Sequence, residues 1–114
     1  EYFLGTDKGR KVESYLNDNE IVTPILVIIE LNCKADKEGW DFEAILEFIK
    51  SKSVVSFISW DVANMSSKNY LEQRKQHKDF GIIDAIILST AKVHNSKILT
   101  GDNHFIGLDE AIII

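Results

Sequence analysis

Three carboxylates stand at positions that suggest metal chemistry, two of them within apolar runs and one just beyond a strand. Glu30 interrupts the apolar run "ILVIIEL", Asp84 interrupts "GIIDAIIL", and Asp102 follows the strand-like "KILT" directly after Thr100 and Gly101. Burying an ionised carboxylate without compensation costs several kcal/mol, so Glu30 and Asp84 each need a partner or a raised pKa. Structural explanations exist for each alone. Glu30 can pair with Lys34 one helical turn on, Asp84 suits the first turn of a helix, and Asp102 suits a turn. Three acids that converge repel one another unless a cation neutralises them. An all-oxygen set of this kind selects a hard ion, Mg²⁺ or Mn²⁺, over zinc.

Other chemistries find little support. His77, His94 and His104 show no HxH or HExxH spacing, and a single cysteine cannot build a zinc site. His104 is expected to be an exposed loop histidine, with a supporting place beside a metal as the alternative. Ser89 and Cys33 fall in helix interiors without a histidine close in sequence, so a nucleophilic triad is not indicated. No glycine-rich phosphate cradle is present.

The elements that must position these acids follow from periodicity and punctuation. "TDKGRKVESYLND" is expected to be a helix with Thr6 as cap and Val12, Tyr15 and Leu16 on one stripe. "EIVTP" is a short strand. Thr23 then caps a helix with Pro24 at its first position, which ends near Gly39. Its apolar first half is expected to be largely buried. Asp41 opens the next helix, "VVSFIS" is a strand, and Ser59 caps a long polar helix through Lys78. "IIDAIILSTAKVHN" is a helix, and "KILT" and "AIII" are the last strands. Strands alternating with helices predict an α/β fold with a mostly parallel sheet, whose ligands bind beyond the C-terminal strand ends.

With 114 residues, 45% apolar and 27% charged, the chain is sized and composed as one globular domain. Its longest apolar runs fall far short of the roughly 20 residues that span a bilayer. No signal-peptide pattern opens the chain, and Cys33 is its one cysteine. A cytoplasmic protein without membrane association is therefore expected. A net charge of −5 argues against a broad basic nucleic-acid face but not against an acidic site that recruits a cation.

In their order and spacing, "ILVIIEL", "IIDAIILSTA" and "ILTGDNHF" resemble the PIN domain. The D-A-x-I-x-x-x-A helix followed by T-x-D-x-x-F is the more specific part. The opening "EYFLGTDKG" is similar to the stretch after the first strand in VapC-type toxins, so the resemblance covers essentially residues 1–114. It implies a three-layer α/β sandwich with a mostly parallel central sheet. It also implies a ribonuclease in which acids hold Mg²⁺ or Mn²⁺ to activate water against an RNA phosphodiester. Glu30, Asp84 and Asp102 match three such acids, catalytic and metal-binding together, and Thr100 matches the supporting hydroxyl. The fourth acid belongs at the end of a first strand that the family places just before Glu1, and this strand is expected to be missing here. The resemblance further implies a protein antitoxin and a homodimer, with Trp60 and Met65 as candidate interface groups and core packing as the alternative. Lys8, Arg10, Lys11, Lys34 and Lys37 are candidate RNA-phosphate contacts, with solvated surface charge as the alternative. The alternative function is a PIN-like module that binds RNA or protein without cutting.

Overall fold

The computed structural model describes residues 7–114, with side chains from Gly9 onward. The expected Thr6 cap and the Lys8 side chain lie outside the described residues. Helices, twice in consecutive pairs, are interspersed with short parallel strands along the chain, which divides into two compact units, Glu1–Phe57 and Ile58–Ile114.

The first unit holds α1 (Asp7–Asp18), β1 (Val22–Pro24), α2 (Ile25–Glu38), α3 (Phe42–Lys52) and β2 (Val54–Ser56). β1 and β2 run parallel, with Val22 opposite Val54 and Pro24 opposite Ser56. The α1 stripe of Val12, Tyr15 and Leu16 is half-buried between exposed polar neighbours. Pro24 finishes the strand in an extended conformation, ψ 141°, so α2 starts one residue later than expected. Thr23 therefore does not cap α2; its hydroxyl bonds to Ser53 Oγ at 2.7 Å, tying β1 to the end of α3. The other stops stand where the residue types place them. Gly39 ends α2 with φ 75°, a conformation that favours glycine. Asp41 caps α3 by accepting the Ala44 N–H.

The second unit holds α4 (Trp60–Arg74), α5 (Ile82–Val93), β3 (Ile98–Thr100) and β4 (Ala111–Ile113). Ser59 caps α4 by accepting the Val62 N–H. The helix stops at Arg74 rather than Lys78, where the N–H groups of Lys75 and Gln76 turn to the carbonyls three residues back, those of Glu72 and Gln73. β3 and β4 are parallel, Ile98 opposite Ala111 and Thr100 opposite Ile113. Phe80, Ala85, Leu88, Ala91, Ile98 and Phe105 form the core of this unit, so α5, β3 and the turn after β3 share one apolar contact. Asn69 on α4 donates to Ser89 Oγ on α5 at 2.8 Å, which pairs two buried polar side chains across these helices. No helix among the described residues is long and apolar enough to cross a membrane.

Candidate metal centre

Asp84 and Asp102 are brought together by two loops that the core pins from below. Phe80 precedes Gly81, the residue before α5, and Phe105 ends the 3-10 turn Asn103–Phe105 that follows Asp102. The two rings meet edge to face, centroids 5.9 Å apart, and both are buried. Burying a Phe side chain is worth roughly 1.5–3 kcal/mol, enough to hold each loop against the core.

Local hydrogen bonds then aim each carboxylate. Asp84 is the third residue of α5, and its Oδ2 accepts the Gly81 N–H at 2.8 Å. Two residues beyond β3, the Asp102 N–H donates to Thr100 Oγ1 at 3.0 Å. Asp102 Oδ1 accepts the His104 N–H at 2.9 Å, closing the turn. Both structural explanations offered by the sequence are therefore correct: Asp84 serves a helix start and Asp102 a turn. The same bonds build the site. Asp84 is largely buried, its side chain 12% exposed, while Asp102 faces solvent at 46%.

His104 completes the cluster. Its Nδ1 lies 2.9 Å from Asp84 Oδ2 and 3.6 Å from Asp102 Oδ1. The expectation of an exposed loop histidine is thus corrected, because the tight turn folds the ring back over the start of α5. The sequence signal that could have found it is the two-residue spacing from Asp102, which is the reach of a side chain whose backbone N–H closes an Asx turn.

Asp84, Asp102 and His104 each offer a ligand atom within 4.8 Å of the others. Oxygens on opposite sides of one octahedral Mg²⁺ are about 4.2 Å apart, so small side-chain movements suffice to share an ion. Among the described residues, Asp84 Oδ1 and Asp102 Oδ2 accept no hydrogen bond, which leaves one oxygen of each carboxylate for a cation. The donor set fits a hard divalent ion.

Glu30 belongs to the first unit and is exposed on α2, which corrects the expectation of burial. α2 buries a single stripe through Ile28 and Ala35. Glu30 lies two residues past Ile28, about 200° round the helix. Its expected partner Lys34 turns elsewhere, its Nζ 5.7 Å from the Trp40 ring centre. Arg10, Lys11, Lys34 and Lys37 are all exposed in this unit. In the second unit Trp60 is 85% exposed and Met65 half-buried. Ser89 is fully buried and donates to the Ala85 carbonyl.

Comparison with known proteins places this geometry in a family. Residues 1–111, spanning both units, match the family model of the PIN domain. A toxin–antitoxin complex from Klebsiella pneumoniae contains a similar fold, with a TM-score of 0.72 and 23% sequence identity over 96% of this chain and 86% of that one. Comparison with curated proteins gives no match. PIN domains are typically nucleases. A family match over nearly all of the chain, joined to parallel α/β units and to aspartates paired from a helix start and a strand end, makes this chain a member of the PIN-domain family.

Proposed function

We propose that this chain is a single-domain endoribonuclease that uses Mg²⁺ or Mn²⁺ to hydrolyse RNA phosphodiesters, as the toxin of a toxin–antitoxin pair. The observation that carries this function is the convergence of Asp84 and Asp102, from different elements, with one uncommitted oxygen each. Asp84 and Asp102 hold the cation, Glu30 supplies a further carboxylate, and Thr100 supports Asp102 through its backbone N–H. A divalent ion bound there lowers the pKa of water and offsets charge on phosphate oxygens. The protein contributes position: Asp84 is fixed by the start of α5 and Asp102 by its turn, so neither carboxylate needs to reorganise during the reaction. No side-chain nucleophile is required.

The fold neighbour, part of a toxin–antitoxin complex, supports a protein antitoxin as the partner. We assign this chain a protein antitoxin, a homodimeric state involving the exposed Trp60, and action in the cytoplasm, where RNA and Mg²⁺ are at hand. Lys8, Arg10, Lys11 and Lys34 are assigned to RNA phosphates.

Incubation with single-stranded RNA and Mn²⁺ tests the function. Cleavage that stops on chelation and is lost in Asp84→Asn is the expected result. Cleavage that persists in Asp84→Asn removes the site. Binding of RNA without any cleavage, in either metal, supports the non-cutting module instead.

A further inference from the structure

We infer that His104 is a positioning residue that sets the affinity of the cation site by orienting Asp84, without itself touching the ion. The inference rests on the assignment of Asp84 and Asp102 as cation ligands. Three observations point to it. First, an ionised carboxylate has no hydrogen to donate, so in the 2.9 Å contact the hydrogen sits on His104 Nδ1 and Asp84 Oδ2 accepts. That nitrogen's lone pair is then unavailable to a metal, and Nε2, which keeps its lone pair, lies on the far side of the ring and is directed away from Asp84. Second, Asp84 Oδ2 receives two donors, the Gly81 N–H at 2.8 Å and His104 Nδ1–H. With Oδ2 held from two sides, rotation about the carboxylate bond is blocked and Oδ1 remains as the oxygen that can face a cation. Third, His104 is placed by the second carboxylate itself, since its backbone N–H closes the turn on Asp102 Oδ1. The residue therefore couples the two ligands: the backbone fixes Asp102 and the ring fixes Asp84.

Gly81 alone would leave Asp84 with one tether on a helix end. Phe105, buried next to His104 and in contact with Phe80, keeps the ring from swinging away with its turn. Hydrogen-bond partners of metal ligands commonly govern affinity by about 10–100-fold.

Asparagine provides a discriminating substitution, because its Nδ2 occupies the place of the histidine Nδ1, carries hydrogens and has no lone pair for a metal. Mn²⁺ titration by calorimetry is made on the full chain as wild type, His104→Ala, His104→Asn and Asp84→Asn, with pulsed EPR of the Mn²⁺-loaded wild type. The expected result has four parts. Wild type binds Mn²⁺, Asp84→Asn does not, His104→Ala binds about 10–100-fold more weakly, and His104→Asn regains most of the loss. The EPR shows no directly bound ¹⁴N. Directly bound ¹⁴N makes His104 a ligand and overturns the inference. Unchanged affinity in His104→Ala overturns it too, while leaving the nuclease site intact. Equal weakening in both His104 variants, with unfolding temperatures like wild type, overturns the orienting hydrogen bond. Absence of Mn²⁺ binding in the wild type overturns the site assignment and the inference with it.

Discussion

Replacing Asp84 by Asn separates the two uses of this carboxylate, because its protein bonds and its proposed metal bond fall on different oxygens. Oδ2 accepts from Gly81 and His104, and an asparagine carbonyl can occupy that place and keep both bonds. The amide NH₂ then stands where Oδ1 was, aiming hydrogens at the cation's position. Two stability terms oppose each other in the metal-free protein. Loss of a negative charge near a helix N-terminus costs about 0.3–1 kcal/mol. Relief of the Asp84–Asp102 repulsion favours the variant. With their ligand atoms within 4.8 Å of each other and an effective dielectric constant of about 20, this repulsion is about 3.5 kcal/mol or more. Half-exposure of Asp102, salt, and the His104 donor reduce it to about 1 kcal/mol. The variant should therefore unfold within about 1 kcal/mol of wild type. Mn²⁺ distinguishes them. At 100 times its Kd it stabilises wild type by about 2.7 kcal/mol, or roughly 10 °C in unfolding temperature for a chain of this size. Thermal unfolding by circular dichroism with and without Mn²⁺ should show this rise in wild type and none in Asp84→Asn. An equal rise in both proteins refutes the placement of the cation on Asp84.

Glu30 is exposed, so Glu30→Gln should leave the unfolding free energy within about 0.5 kcal/mol. RNA cleavage assays should show a rate lowered more than about tenfold, a barrier increase of about 1.4 kcal/mol; unchanged cleavage removes Glu30 from the proposed site. Leu88 is fully buried in the core of the second unit, and Leu88→Ala should cost about 2–5 kcal/mol in urea unfolding. Asn69→Leu removes the donor to Ser89 and the acceptor of Lys92, 3.3 Å away, and should cost about 1–3 kcal/mol. Combining it with Ser89→Ala in a double-mutant cycle should recover part of that loss.

The parallel α/β character, the stops at Gly39 and before Asp41, and the caps at Asp41 and Ser59 were legible because each depends on a residue type acting within one turn of chain. Thr23 shows where such logic ends. Its hydroxyl could cap a helix locally, but strand pairing keeps Pro24 extended opposite Ser56 and leaves Thr23 to find Ser53, thirty residues away. Burial of α2 was misjudged for a related reason. An apolar composition says that a helix has much to bury, while the packed stripe through Ile28 and Ala35 decides which residues are covered, and Glu30 falls outside it.

The metal centre was legible in part, and the missing part is informative. Asp84 and Asp102 could each be read as ordinary helix-start and turn acids, and the structure gives them those bonds. The choice between a structural and a functional acid is therefore not exclusive here. A carboxylate has two oxygens, and spending one on the backbone is what makes the other available in a fixed direction. His104 escaped the sequence because its contribution is a direction in space: only a turn closed on Asp102 sends its ring to Asp84. The turn is in turn held by Phe105 against Phe80, the neighbour of Gly81. A substitution in that aromatic pair should therefore disturb both carboxylates at once, although neither ring touches the cation's position. Cavity-forming Phe105→Leu should weaken Mn²⁺ binding by more than its effect on the unfolding temperature alone explains, measured where the variant is still fully folded. If calorimetry then finds wild-type affinity, the core does not position the site.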